Sequence, residues 1–249
     1  MRDLNLVIVG GGAGLGALLA KMAVEADATG IGIIDINVET ADAVLAPARA
    51  KGLKAVAVAC DIRTAAASHE AFGQVAAVLG RVDTLINCAA IYPRRPTLGV
   101  TDEEWDLSNA INIKGTYHMM VAAIEHMRAQ SPKEHVRGRI VNITSVDAFK
   151  AHPKNIHYAA TKAAVVSLTR SVADHVAPDG ILVNSVAPAG MATQKAAASG
   201  FLGELAKASP LGRGAQPPEI AEWVLMAGGP KNTYMTGENI IVSGGYIYA

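Results

Sequence analysis

Cysteine is nearly absent from this chain. Its two cysteines, Cys60 and Cys88, both follow apolar runs. Two such residues cannot build a disulfide framework, so both read as buried, reduced thiols of a cytoplasmic protein. Aromatic residues are also scarce: three Phe and two Trp leave no stacking platform for nucleic acid. Net charge is missing altogether, since 22 Lys and Arg balance 22 Asp and Glu, and nothing favours a polyanion or an anionic membrane surface. No apolar run reaches membrane-spanning length without a charge or a glycine break. The first residues lead straight into a strand pattern with no signal-peptide layout. The seven His show no metal-ligand spacing, so no metal is expected. Linkers, repeats and low-complexity tracts are lacking too, which leaves residues 1–249 as one domain with a sizeable core.

What is present is an alternation of short apolar runs and amphipathic segments. Leu4–Val9, Ile31–Asp35, Val56–Asp61, Thr84–Asn87, Arg139–Ile143, Ile181–Val186 and Ile240–Val242 read as buried parallel strands. Helical patterns separate them: Ala17–Ala26, Val38–Lys51, a segment through Phe72 and Val78, a long stretch over Thr101–Met127 capped by Thr101 or Asp102, one that carries Tyr158 on to Val176, and one opened by Pro217 and Pro218. This order predicts an α/β fold: a doubly wound parallel sheet of Rossmann type, covered on both faces. Periodicity alone does not separate it from a flavodoxin-like sheet.

The chemistry concentrates at strand ends. Gly10-Gly11-Gly12-Ala13-Gly14-Leu15-Gly16 lies between the first strand and the first helix. There, glycines let backbone approach a pyrophosphate, which the helix N-terminus attracts. Asp35 ends the second strand about twenty residues on, where a carboxylate accepts from adenosine ribose hydroxyls and repels a 2′-phosphate. No Arg or Lys occurs over Ile36–Thr40, which favours NAD over NADP. The alternative is helix capping, by Asp35 or equally by Asn37. Asp61 and Asn87 end the next two strands, as ligand-binding or as turn residues. Tyr158 and Lys162 stand one helical turn apart, thirteen residues beyond Ser145. An ammonium beside a phenol lowers its pKa, and a serine hydroxyl beside both holds a substrate oxygen, which together make a proton-transfer site.

Gly10-x-x-x-Gly14-Leu15-Gly16, Asp61, Asn87-Cys88-Ala89-Ala90, Asn112, Ser145, Tyr158-x-x-x-Lys162 and Pro188–Thr193, in this order, resemble the short-chain dehydrogenase/reductase family over essentially the whole chain. The resemblance implies oxidation of an alcohol or reduction of a carbonyl with NAD, usually in a homotetramer. It implies Tyr158 as acid/base, Lys162 as the group that lowers its pKa and holds the nicotinamide ribose, Ser145 on the substrate oxygen, and Asn112 holding a water that links Lys162 to solvent. Cofactor contacts would come from Gly10, Gly12, Gly14, Leu15, Asp35, Asp61, Ile62, Asn87, Ala89, Tyr158, Lys162, Pro188 and Thr193. Substrate contacts would come from Ser145, Tyr158, Tyr92 and Ala189. Val9, Cys88, Ala90, Ala189 and Ser243 depart from the family pattern, at positions that bear on how tightly NAD binds.

Substrate walls are expected from residues 91–95, 147–157 and 189–208, with a short-sided, mostly apolar lid over about 189–209. A small, mostly hydrophobic secondary alcohol or ketone fits such walls. The Ile91-Tyr92-Pro93 turn and the Thr193 region resemble secondary-alcohol dehydrogenases. Arg94 and Arg95 read as a solvated loop or as partners of a substrate anion. His118 and His126 are expected on a helix surface, while His152 and His157 flank the catalytic stretch and can touch substrate, with a solvated loop the preferred reading for His152. An oxoacyl-thioester reductase would want NADPH, against Asp35. A non-catalytic NAD-binding regulator would typically lose Tyr or Lys of the set. Met119, Met120, Val165, Val166 and Leu168 exceed what one sheet contact needs, and are expected to face other subunits of a tetramer with two-fold axes.

Overall fold

The computed structural model describes residues 1–193 and 201–248. Seven parallel strands form one sheet: β1 (Asn5–Val9), β2 (Gly30–Asp35), β3 (Lys54–Ala59), β4 (Thr84–Asn87), β5 (Gly138–Ile143), β6 (Ile181–Pro188) and β7 (Asn239–Val242), in the order β3-β2-β1-β4-β5-β6-β7. The order reverses between β1 and β4, where a doubly wound sheet opens a crevice at the carboxyl ends of its strands.

Alternation along β1 shows why the sheet carries helices on both faces. Leu6 and Ile8 pack on one side with Leu19 of α1 (Gly14–Glu25), Leu45 of α2 (Val38–Ala50) and Val224 of α8 (Pro217–Ala227). Val7 and Val9 pack on the other with Phe72 of α3 (Ala65–Leu79), Met119 and Met120 of α5 (Thr116–Arg128) and Val176 of α6 (Ile156–Val176). Successive strand residues point to opposite faces, so a strand buried on both sides is apolar throughout. The other α-helices among the described residues are α4 (Asp102–Ser108) and α7 (Phe201–Ala208).

Two expectations change and one alternative is resolved. The single helix over Thr101–Met127 is α4 and α5 joined by a π-helical segment, Asn109–Gly115, which widens the turn around Asn112. Thr101, rather than Asp102, caps it, in a capping box with Glu104. Met119, Met120, Val165 and Val166 are no surplus for other subunits, because each is at most 7% exposed within one chain. α5 packs against α3 as well as β4, and α6 against β6, so one chain already covers these residues. Of the expected lid, residues 194–200 lie outside the described residues.

Candidate active site

The parallel register sets the carboxyl ends of six strands side by side. Val9 pairs with Ile34 and Asn87, Asp35 with Ala59, Asn87 with Asn142, and Ile143 with Val186. Gly10, Asp35, Asp61, Asn87, Ser145 and Pro188, spread over the sequence, therefore line one crest.

On the β1–β4 side, main chain dominates. Gly10 N donates to Ile34 O at 2.8 Å and Cys88 N to Val9 O at 2.9 Å, so the backbone itself ties the glycine loop to both neighbouring strands. Val9 is buried and supplies no hydroxyl there. Gly10 has φ +76°, and a Cβ on it would stand 2.6 Å from Ala89 N, so this crossing of two chains admits glycine alone. Gly14 and Leu15 open α1. Gly12 N donates to Asp35 Oδ2 at 2.8 Å, and Asn37 N to Asp35 Oδ1 at 3.0 Å. Asn37, not Asp35, caps α2 by accepting from Thr40 N. Asp61 is engaged by Arg63, whose Nε lies 2.7 Å from Oδ2 and which holds the carboxyl below its usual range. Ile62 packs its side chain under Gly115, and its carbonyl accepts from Ser68 Oγ at 3.3 Å. Asn87 Nδ2 donates to Asn142 Oδ1 at 2.9 Å, while Asn87 Oδ1 is buried with no protein partner. A cradle that a Cβ would fill and a buried acceptor facing no protein donor fit a bound nucleotide.

Beyond the switch point, side chains dominate. Ser145 follows β5, is 8% exposed, and accepts from Asp147 N at 3.1 Å within a 3-10 turn, Val146–Ala148. Tyr158 lies in the first turn of α6 and Lys162 one turn later, with Nζ 5.6 Å from the phenol ring centroid. Lys162 is buried, donates to Ile143 O at 2.7 Å, and its pKa is lowered by burial to about 8. The expected depression of the phenol is not found. Tyr158 is partly open to solvent, yet crowding around it raises its pKa above the usual value, and the charge of Asp147 adds to this; only the Ser145 hydroxyl acts the other way. Withdrawing a phenolate from water outweighs an ammonium that is itself desolvated and turned to a carbonyl.

Asn112 is fully buried in the π segment. Its Oδ1 accepts from Ile91 N at 2.9 Å, and its Nδ2 donates to Ile91 O at 2.8 Å and Thr161 Oγ1 at 3.1 Å. Both donors of the amide are thus spent on protein. The side chain clamps the turn before Tyr92, whose ring meets that of Tyr158 edge-on with centroids 6.1 Å apart. Thr161, which no sequence motif marks, also donates to Tyr158 O at 2.8 Å. Its signal was a hydroxyl between Tyr158 and Lys162 on a helix otherwise rich in alanine.

The remaining expected residues lie around this cluster. Arg95 meets Glu104 of α4 at 2.6 Å. His157 is 1% exposed and tilts against Trp105 with centroids 6.5 Å apart; it lies in the seam between α4 and α6, away from the substrate contact expected for it. His118 and His126 are half-buried, not on the surface: His118 Nδ1 donates to Ile62 O at 3.1 Å and His126 stacks edge-on with Phe72. Thr193 N donates to Met191 O, and Ala189 N to Val242 O. Farther out, Ala189, Ser209, Trp223 and Tyr246 border a cavity of about 160 Å³. Neither Ser145 nor Tyr158 lines it, so it is not where proton transfer would occur. Ser243 Oγ donates to Ile247 O at 3.1 Å and so shapes the turn beside that cavity.

Residues 10–247 match the model of a family described as enoyl-(acyl carrier protein) reductase. The chain belongs to the short-chain dehydrogenase/reductase family. It is 34% identical over 248 residues to the short-chain reductase protein NovJ of Streptomyces niveus, which covers 96% of this chain and 92% of NovJ. It is 31% identical over 250 residues to cyclopentanol dehydrogenase of Comamonas testosteroni, covering 99% and 98% of the two chains. Its fold is similar to a gluconate 5-dehydrogenase from Burkholderia cenocepacia in complex with NADP and tartrate, at a TM-score of 0.89 and 30% identity, covering 99% and 96%. This short-chain dehydrogenase/reductase is an oxidoreductase that acts on CH–OH groups with a nicotinamide cofactor. No described helix is long and apolar enough to cross a membrane.

Proposed function

We propose that this short-chain dehydrogenase/reductase oxidises a small secondary alcohol, or reduces the matching ketone, with NAD(H) as its cofactor and Tyr158 as the acid/base. The observation that carries the reading is the meeting of Ser145, Tyr158 and buried Lys162 at the crest where the glycine loop also ends. When bound, NAD would supply the acceptor for the hydride that leaves the carbinol carbon. Ser145 Oγ holds the reacting oxygen, and Tyr158 takes its proton. With its pKa near 8, Lys162 is largely a cation at neutral pH and steadies the phenolate as it forms. Gly10, Gly12, Gly14, Leu15, Ala89 and Asn87 would hold the nucleotide, with Asp61, Ile62, Pro188 and Thr193 at its edges. Tyr92 and Ala189 would border the substrate.

Asp35 supports NAD over NADP: its carboxylate sits on Gly12 N, and no cation occurs over Ile36–Thr40. It also speaks against the alternative, an oxoacyl-thioester reductase. The cyclopentanol relative supports a secondary alcohol, and the NADP in the gluconate enzyme makes both cofactors part of the test. A homotetramer is part of the proposal. Exposed Trp105, Leu107 and Tyr117 on α4 and α5 now support it in place of the buried methionines; a monomer mass by light scattering would refute it. We place the protein in the cytoplasm on its two free thiols, Cys60 and Cys88, whose pKa values are pushed up to about 11 and about 12, largely by burial. Secondary alcohols screened with NAD and NADP, following absorbance of the reduced cofactor, test the reading. Activity with NAD that disappears in Tyr158→Phe supports it, and a silent panel with both cofactors refutes it.

A further inference from the structure

The substrate side of the crest carries a polar pair, Asp147 and His152, that the reaction itself does not use. Asp147 lies two residues beyond Ser145, and its backbone N–H is bonded to Ser145 Oγ, so its position is tied to that of the reacting oxygen. Its side chain is 15% exposed, and it is the charge that acts most strongly on Tyr158. Across from it stands His152, with Nε2 4.0 Å from Asp147 Oδ2 and with Nδ1 buried and unpartnered. That separation is too long for a hydrogen bond, and a single oxygen about 2.8 Å from each atom spans it. With the seam residue His157 set aside, the buried, unpartnered side-chain polar atoms within residues 152–157 are His152 Nδ1 and Asn155 Oδ1. The wall expected to be mostly apolar thus has a polar end.

We propose that Asp147 and His152 form a specificity-determining subsite for a second hydroxyl of the substrate, close to the carbinol that is oxidised. The inference rests on the alcohol dehydrogenase reading above and narrows its substrate to a neutral diol or polyol. Charge selects the class. A carboxylate or phosphate on the substrate would face Asp147 at close range. An ammonium would enter a region that already holds Lys150, seated over the Tyr246 ring at 3.7 Å, and Arg94, both near enough to act on Asp147. A hydroxyl meets neither penalty: it donates to the carboxylate and can accept from an imidazole N–H. Burial raises the Asp147 pKa, which marks a carboxylate withdrawn from water and in need of a donor.

The test is a ratio. The value of kcat/KM is measured with NAD for cyclopentanol against the cyclopentane-1,2-diols, and for 2-butanol against 2,3-butanediol, in wild type, Asp147→Asn, Asp147→Ala and His152→Ala. Any effect of Asp147 on Tyr158 falls on both members of a pair and cancels in the ratio. The subsite predicts a wild-type preference for the diol. It predicts a ratio that falls about ten- to a hundred-fold in Asp147→Ala, less in Asp147→Asn, which keeps an acceptor oxygen, and several-fold in His152→Ala. NAD titration of each variant reports that it is folded. Active wild type whose diol ratio is unmoved in both Asp147 variants overturns this inference and leaves the alcohol dehydrogenase standing. Wild type silent on every alcohol with both cofactors overturns the two together.

Discussion

The two halves of the crest are built by different means. Between β1 and β4 the loop geometry is held by main chain: Gly10 N on Ile34 O, Cys88 N on Val9 O, and a crossing at Ala89 that only glycine fits. Between β5 and α6 it is held by side chains: Asn112 on Ile91 and Thr161, Lys162 on Ile143, Asp147 beside Ser145. Backbone bonds survive most substitutions of the residues that make them. Side-chain bonds in a buried site do not, because the partner left behind keeps its desolvation cost. Departures from the family pattern should therefore be mild in the first half and severe in the second.

The largest effect belongs to the second half. Tyr158→Phe keeps the ring packed against Tyr92 and removes the ionisable oxygen. Turnover should fall roughly 10²–10⁴-fold while NAD still binds, as read by steady-state kinetics beside a cofactor titration. Retained turnover would remove Tyr158 from the mechanism. Asn112→Ala should come next. It strands both backbone groups of Ile91 and frees the turn that carries Tyr92, at a cost of about 1–3 kcal/mol for each buried orphan. Thermal unfolding should show the loss, and kcat should fall with it.

Asp35→Ala probes the side chain that holds the glycine loop in the first half, through Gly12 N. Losing a charged acceptor should weaken NAD about ten- to a hundred-fold. Loosening of the loop at Gly12 would affect both cofactors alike, so the decisive reading is the NAD/NADP ratio, which should shift toward NADP. An unchanged ratio would restrict Asp35 to holding the loop.

Lys162→Met sharpens the contrast through pH. The folded pKa of Lys162, about 8, lies below its ordinary value near 10.5. The unfolded chain therefore binds more protons between those two values. Stability lost to burying the ammonium is fully lost below pH 8 and is recovered as pH rises toward about 10.5. The difference in unfolding free energy between wild type and Lys162→Met should climb by about 3 kcal/mol across that window in denaturant titrations. A flat difference would mean that the amine is not desolvated. Val9→Thr should do least: backbone bonds already tie the loop, so the NAD dissociation constant should change less than about threefold. A large gain in affinity would show that the missing hydroxyl limits binding and would break the comparison.

How much could be read beforehand follows the same division. Strand runs, the glycine loop, Asp35 and the Tyr158–Lys162 spacing were legible, because period, glycine and carboxylate placement are local properties. Burial was not. Met119 and Met120 look like surplus on a helical wheel and lie in the core. Asn112 has no local signal beyond one amide in a helix, and Thr161 none beyond one hydroxyl between Tyr158 and Lys162.

By itself the sequence determined the alternation of elements, the place of the glycine loop and the spacing of the proton-transfer set, all of which depend on neighbours along the chain. Only the tertiary structure decided that Asp147 would face His152, that burial, with Asp147 adding to it, would raise the Tyr158 pKa, that Lys162 would turn to Ile143, and that His157 would lie against Trp105. Dielectric surroundings and hydrogen-bond partners depend on which distant segments share a volume, and that is settled only when the sheet closes and the helices pack on it.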